Sequence, residues 1–369
     1  MGKKDNSFFL QELHSTHFRN YHHFNIALNS GLNIIVGHNA QGKTNLLEAI
    51  HFLSTTKPLK GANDHEMILK DKTKATLQTI LSPIETKISV ELEIGKPKKI
   101  FINHLLTRRT QEVIGRLPSV CFKSSDLSII QGEPTHRRLF LDLQISQINP
   151  TYLQHLTYYK HALAQRNTLL KSNSGSPHIY QELEVWEQIL AKNGAAIRNI
   201  RSKFIQDINY YAACVHQDLA GKEALNLEYI LKDEGNSEEL LLKKLAETRK
   251  YDLILKSTSK GPHRDDLAIF IDQQPGRYYG SLGQQRTALL SIKFGVLTVM
   301  EKTLGITPVL LLDDIFSDLD QTRRQKLTEK ILTEGSQVIL TCTEKEQAGT
   351  NLTLSSKIFK VAEGKIDPL

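Results

Sequence analysis

The sequence predicts an α/β fold with a mixed sheet, an antiparallel β-lobe and an inserted helical lobe. Three observations point to it. A short apolar run, Leu32-Asn33-Ile34-Ile35-Val36, leads straight into a glycine-bounded loop and then a helical pattern. Residues 76–106 alternate with period two, through Ile88, Val90, Leu92 and Ile94 and then Ile100 and Ile102. From about 150 to 215 the apolar spacing changes to that of long helices, and the α/β pattern resumes near Leu253. The expected divisions are 1–148 for the first part of the α/β body, 149–235 for the helical lobe and 236–369 for the second part.

Taken in order, Phe8 to Leu13 and Phe24 to Leu28 read as a strand pair turning around Phe18-Arg19-Asn20-Tyr21. Leu32 to Val36, apolar and bounded by glycines, reads as a buried strand. Asn45 to Leu53 places apolar residues at 46, 47, 50 and 53, one face of a helix. Gly95-Lys96-Pro97 separates the two alternating runs as a hairpin turn would. Tyr152, Leu156, Tyr159, Leu163, Arg166 and Leu170 follow a 4-3 rhythm, as do Leu183, Trp186, Leu190, Asn193, Ile197, Ile200 and Phe204. With Lys171-Ser172-Asn173-Ser174-Gly175-Ser176-Pro177 as the turn between them, they predict an antiparallel helical hairpin. Ordinary amphipathic helices packed on a domain would give the same rhythm.

Composition narrows the class of protein. Of 369 residues, 40% are hydrophobic and 24% charged, as in ordinary folded proteins. No run approaches the ~18 apolar residues of a membrane span. Met1-Gly2-Lys3-Lys4-Asp5-Asn6 lacks the apolar core of a signal peptide. Cys121, Cys214 and Cys342 are too far apart for a disulfide framework or zinc site. A cytoplasmic protein without a membrane partner is therefore expected. Net charge is +7, which permits a nucleic-acid partner without requiring one. The charge is concentrated: nine basic residues (Lys96, Lys98, Lys99, Arg108, Arg109, Arg116, Lys123, Arg137, Arg138) face three acids (Glu112, Asp126, Glu133) in one segment. A solvated face and a phosphate-binding surface both fit that excess, the latter carried on the β-lobe by Lys98, Lys99, Arg108 and Arg109.

The chemistry-bearing motifs begin at Gly37-His38-Asn39-Ala40-Gln41-Gly42-Lys43-Thr44, which fits G-x-x-x-x-G-K-[ST] between a strand and a helix. Its glycines allow a tight turn whose backbone N–H groups cradle phosphate oxygens. Lys43 is expected to reach the β- and γ-phosphates and the Thr44 hydroxyl to ligate Mg²⁺. Val309-Leu310-Leu311-Leu312-Asp313-Asp314 is a buried strand ending in two carboxylates. Asp313 suits the metal side, and Asp314 suits the water that attacks the nucleotide. Ile315-Phe316-Ser317-Asp318-Leu319-Asp320 follows. Upstream, Tyr279-Gly280-Ser281-Leu282-Gly283-Gln284-Gln285 opens a long apolar helix from Arg286 to Leu304, so that Ser281, Gly283 and Gln284 sit at a helix N-terminus suited to an anion.

These motifs resemble the ABC/SMC-type ATPase heads, with Ser281 to Gln284 in the place of the signature motif and Ile315 to Asp320 in that of the D-loop. The resemblance implies ATP and Mg²⁺ as cofactors, with the signature residues serving, in trans, the nucleotide of a second copy. Several further strings narrow it: Phe18-Arg19-Asn20-Tyr21, Asp126-Leu127, Gly132-Glu133-Pro134, Arg137-Arg138-Leu139-Phe140-Leu141-Asp142, Tyr159 to Lys171, Gly261-Pro262-His263-Arg264-Asp265-Asp266-Leu267 and Ser281 to Arg286. In this order and over the whole chain they resemble the RecF family of bacterial recombination-repair ATPases. That resemblance implies a weak, DNA-stimulated ATPase whose ATP-dependent homodimer binds duplex DNA and single/double-strand junctions. It also implies partners RecR and RecO, help in RecA loading at gaps, and roles in replication and the SOS response. Transporter heads carry a histidine after the second motif, whereas Val338-Ile339-Leu340-Thr341-Cys342-Thr343 has none, so Thr341 or Thr343 is expected to stand in. No adenine-reading aromatic stands out, and Arg19 or Asn20 is expected near the nucleotide. The competing readings are a transport or signalling ABC-type domain and a subunit of an SMC-like nuclease complex.

Overall fold

Alternation along the chain and continuous apolar runs separate two kinds of sheet here, as their solvent environments require. The computed structural model describes residues 8–59, 63–172, 178–233, 235–318, 320–333, 335–344, 352–353 and 356–369. The extreme N-terminus, the expected turn residues 173–177 and Leu319 lie outside the described residues. The chain divides into two compact units, one of residues 1–126, 218–221 and 296–369, the other of 127–217 and 222–295.

The first unit holds two six-stranded sheets. One is wholly antiparallel, in the order β2-β1-β4-β5-β6-β7: β1 Phe9–Phe18, β2 Tyr21–Ala27, β4 Lys74–Ser82, β5 Thr86–Glu93, β6 Lys99–Ile102 and β7 Leu105–Leu106. Its strands alternate: Ala75, Leu77, Thr79 and Leu81 are buried on β4, and Ile88, Val90 and Leu92 on β5. The apolar ones share one core with Leu46, Leu47, Ile50 and Leu53 of helix α1, Lys43–Thr55.

The second sheet runs β15-β14-β3-β13-β12-β8. Here β3 Leu32–Val36, β8 Ser119–Lys123, β12 Val309–Asp313, β13 Val338–Cys342 and β14 Lys357–Ala362 pair in parallel, while β15 Lys365–Pro368 is an antiparallel edge. Val309 to Leu312 are fully buried, as expected of a parallel strand covered on both faces. The register sets Asp313 beside Thr341 on one side and Lys123 on the other, so the carboxyl ends of three strands meet at one edge. The amide of buried Gln337 ties the two sheets together. It accepts from Leu10 N–H at 2.8 Å and donates to Leu10 O at 2.7 Å and Asn29 O at 2.8 Å.

The second unit contains α2 Ser128–Gln131, α3 Pro134–Ile148, α4 Pro150–Ser172, most of α5 Ile179–Ala220, α6 Glu238–Glu247, α7 Arg249–Leu255 and α8 Gly276–Tyr279. It also holds the first part of α9 Leu282–Leu304 and a small sheet of β9 Leu225–Ile230, β10 Asp266–Ile271 and β11 Gln274–Pro275. Helix α10, Gln321–Thr333, completes the first unit. No helix among the described residues is long and apolar enough to cross a membrane.

Helices α4 and α5 form where the apolar rhythm placed them, but their buried face departs from a heptad seam. Leu163, Trp186 and Ile200 are half-buried, whereas neighbouring Ala162, Glu187 and Arg201 are buried. The cause is that α5 is covered on more than one side. At Gly194 a β-carbon would stand 2.6 Å from Leu241 and 3.3 Å from Pro262, so α6 and the loop before β10 also press on it.

Charges occupy this interior. Arg166, fully buried, donates to Asp252 at 2.7 Å, Thr258 at 2.9 Å and Glu187 at 3.0 Å. Arg198, also fully buried, grips both oxygens of Asp265 at 2.8 Å and meets Asp233 at 2.5 Å. Arg201 donates to Asp142 at 2.7 Å, Tyr152 at 2.9 Å and Pro262 O at 2.9 Å. Burial pushes the Asp142 carboxyl up, but Arg201 and Lys160 hold it below its ordinary range. The Gly261 to Leu267 string is therefore a set of partners for arginines on α3 and α5, since Arg137 likewise forks onto Asp266 at 2.7 and 2.9 Å.

His263 sits in the same network. Its Nε2 donates to Thr258 O at 3.0 Å and its Nδ1 accepts the Tyr159 hydroxyl at 2.6 Å, an arrangement that satisfies the neutral ring. Burial pushes its pKa from 6.5 down to about 4. The unfolded state therefore takes up a proton that the folded state refuses. Stability from this group is complete above the unfolded pKa and is lost as pH falls toward the folded value. Between pH 7 and 5 the loss should reach about 2 kcal/mol. Denaturant midpoints of wild type and His263→Asn at the two pH values check this: the variant should show the shallower decline, and identical declines would refute it.

Candidate nucleotide-binding site

The loop between β3 and α1 is held by side chains on every side. At Gly42 φ is +123°, and a β-carbon there would lie 2.7 Å from Asn20 Nδ2 and 2.9 Å from the Tyr21 hydroxyl, so only glycine fits. The loop carbonyls are drawn inward. Lys43 Nζ donates to Gly37 O at 2.5 Å and His38 O at 3.0 Å; Asn20 Nδ2 donates to Gln41 O at 2.8 Å; Tyr21 donates to Gly42 O at 2.9 Å. Gln41 Oε1 in turn accepts Glu363 N–H at 2.6 Å.

Lys43 is buried, which pushes its ammonium below the ordinary lysine range, while Asp314 and Asp313 pull it back up. Thr44 donates to the Asp313 carboxylate, with 3.0 Å to each oxygen. Thr341 bridges the two acids: its hydroxyl donates to Asp313 Oδ1 at 2.9 Å and accepts Asp314 N–H at 3.0 Å. Asp314 itself turns the chain at φ +51°. Of the two candidates for the absent histidine, Thr341 touches the Asp313 carboxylate and the Asp314 backbone, and Thr343 lies beyond the end of β13.

These groups line one cavity of about 490 Å³, formed by Asn39, Ala40, Gly42 to Asn45, Lys123 to Ser125, Asp313 and Asp314, all from the first unit. Lys123, Ser124 and Ser125 escaped the motif reading. The signal for them was the short buried run Val120-Cys121-Phe122, a third parallel strand whose carboxyl end must lie beside Asp313. Lys123 Nζ is held by Leu59 O at 2.5 Å. Arg19 and Asn20 prove to be braces. Arg19 forks onto buried Glu48 at 2.7 and 2.9 Å, and Asn20 also accepts from Asn45 at 2.8 Å. Chemically, the cavity offers a cationic amine at an anion loop, and a hydroxyl–carboxylate pair whose hard oxygens suit a small divalent cation.

Ser281, Gly283 and Gln284 belong to the second unit. Ser281 Oγ accepts Gln284 N–H at 3.3 Å while Ser281 N–H donates to Gln284 Oε1 at 2.8 Å, a reciprocal cap that starts α9. Gly283 O accepts the Thr287 hydroxyl at 2.9 Å. Beneath them, buried Gln285 donates to Gly276 O at 2.8 Å and Gly280 O at 3.0 Å and accepts from Gln131 at 2.6 Å. The preceding Tyr278 and Tyr279 are exposed.

The basic segment separates into built-in and outward charges. Lys98 meets Asp64 at 2.9 Å and Thr56 O at 2.7 Å, over the Phe52 ring, and Arg138 donates to Asp265 O at 2.9 Å. With Arg137 and Lys123 they belong to the fold. Lys99, Arg108, Arg109 and Arg116 are exposed.

Comparison with known proteins agrees with this geometry along the whole chain. The family model described as the RecF/RecN/SMC N terminal domain matches residues 9–366. A "DNA replication and repair protein RecF" of Lachnoclostridium phytofermentans is 36% identical over 361 residues, covering 97% of this chain and 99% of the relative. One of the same description from Agathobacter rectalis is 35% identical, covering 97% and 98%. A solved structure of the recombination mediator protein RecF with ATP, in the RecFOR pathway, superposes with a TM-score of 0.91 at 31% identity over 100% of both chains. The Smc head domain of Pyrococcus furiosus, bound to part of ScpA, shares the fold at a TM-score of 0.57 and 16% identity, over 98% of this chain and 96% of that one. The two sheets are thus those of an ABC/SMC-type ATPase head, and the chain belongs to the RecF family.

Proposed function

We propose that this chain is an ATP-dependent DNA-binding ATPase of recombinational repair, acting in the cytoplasm as a nucleotide-controlled clamp. The observation that carries the reading is the cluster of Lys43, Thr44, Asp313 and Asp314 lining one cavity, with buried Thr341 bonded to Asp313 beside it. Residues Gly37 to Thr44 cradle the triphosphate, and Lys43 lies against its β- and γ-phosphates. Thr44 and Asp313 hold Mg²⁺, which when bound neutralises phosphate charge. Asp314 orients the attacking water and accepts its proton, while Thr341 holds the Asp313 carboxylate and the Asp314 backbone in place. The capped start of α9 supports a trans role, in which Ser281, Gly283 and Gln284 meet the γ-phosphate held by a second copy.

On this reading ATP closes two heads on DNA near single-strand gaps, and slow hydrolysis reopens them. The RecFOR pathway named for the solved relative supports RecR and RecO as partners; assistance to RecA loading, replication and SOS induction is what resemblance to the RecF family implies.

Three substitutions test the chemistry. Lys43→Ala should lower ATP hydrolysis at least about 100-fold with the fold intact, because the loop keeps its other braces; wild-type turnover would remove the assignment. Asp314→Asn should bind ATP normally yet hydrolyse it roughly 100-fold more slowly, accumulating the closed dimer, whereas Asp313→Asn should weaken magnesium-dependent binding itself. The same binding defect in both would erase the division of roles. Ser281→Arg should leave nucleotide binding by the monomer within about threefold of wild type and block ATP-induced dimerisation, making DNA affinity independent of ATP. Sedimentation with and without ATP decides this. A wild type that remains monomeric with ATP and DNA would end the sandwich model.

A further inference from the structure

The antiparallel sheet buries one face and leaves the other open. On β5, Ile88 and Val90 are buried, and Lys87, Ser89 and Glu91 alternate with them toward the open side. Register carries that side to the edge: Ser89 stands opposite Phe101, and Phe101 opposite Leu106 of the last strand. Phe101 is half-buried and Leu106 is 57% exposed. The hairpin that presents them is stiff. Asn103 and His104 both have positive φ, 49° and 68°, the two-residue turn that matches strand twist. Asn103 is pinned at both ends, its N–H donating to Lys87 O at 2.9 Å and its Oδ1 accepting Lys87 N–H at 2.8 Å. Lys87 and Lys99 flank the apolar pair on the same face, and exposed Arg108 and Arg109 follow Leu106 after Thr107. Of the acids nearby, Glu91 is set opposite Lys99, and Glu93 pairs with Lys96 at 2.8 Å and Lys74 at 3.6 Å.

We propose that Phe101 and Leu106, framed by Lys87, Lys99 and Arg108, form a stacking platform for the unpaired bases of single-stranded DNA. The apolar centre matches flat base faces and the cationic frame matches the phosphates beside them. A duplex hides its base faces and would use only the frame. A protein strand adding to the sheet would need a longer edge than β7, which has two residues. The proposal rests on the DNA-binding reading above and adds which part of a gapped substrate this lobe holds.

The test is fluorescence anisotropy of the full-length chain on a labelled oligothymidine and on a blunt duplex, with and without ATP, with ATP hydrolysis measured in parallel. Phe101→Ala should weaken oligothymidine binding about tenfold and Leu106→Ser, at the more exposed position, about threefold. Blunt-duplex affinity and ATP hydrolysis should stay at the wild-type level. Leu106→Ser carries the test if Phe101→Ala does not fold. Unchanged oligothymidine affinity in the variants, or equal losses on both DNAs, would overturn the platform. So would a loss of self-association or protein binding without a change in DNA affinity. A wild type that binds no DNA overturns the platform together with the DNA reading. Single-strand affinity that falls in the variants yet ignores ATP upholds the platform and sinks the clamp.

Discussion

A loop that turns its backbone N–H groups toward an anion must turn carbonyls the other way, and each of those needs a donor. Much of the first unit follows from meeting that need. Gly37 and His38 find Lys43, Gln41 finds Asn20, and Gly42 finds Tyr21. Asn20 comes from the turn between β1 and β2 and Tyr21 opens β2, so the antiparallel sheet is a structural partner of the loop as well as a neighbour. Lys43 serves twice, as the charge offered to a phosphate and as the clasp that shapes the loop awaiting it.

Parallel pairing does the rest. Because β3, β13, β12 and β8 all run the same way, every one of them ends at the same edge. Asp313, Thr341 and Lys123 are neighbours by register, and the helix that starts at Lys43 delivers Thr44 to the same place. A hydroxyl touching both the carboxylate and the next backbone N–H leaves the acid pair little freedom.

What could be read from the sequence was what is local. The glycine loop, the apolar strand ending in two acids and the S-x-G-Q turn each fit within a few residues, and their chemistry dictates their spacing. The helices of the hairpin were legible for the same reason. Their filling was not, because Arg166 answers Asp252 and Arg198 answers Asp265 across long stretches of chain, and a one-dimensional rhythm carries no trace of such pairs. Lys98 and Lys99 look alike in sequence; only the fold, by placing Asp64 and Phe52 beside one of them, separates a structural charge from an outward one. Ser124 and Ser125 have no motif at all and reach the cavity through strand order alone.

The buried arginines of the second unit have an evolutionary consequence. Each is fully committed to carboxylates that have no water to fall back on, so a lone change at either end strands a charge. Substitutions at Arg198, Asp233 and Asp265 should therefore be tolerated only in concert, and the same holds for Arg166 with Glu187 and Asp252. Drift through such a network is nearly closed to single steps. The interior of the helical lobe is thus a slow clock, whereas the exposed faces of the same helices remain free to diverge.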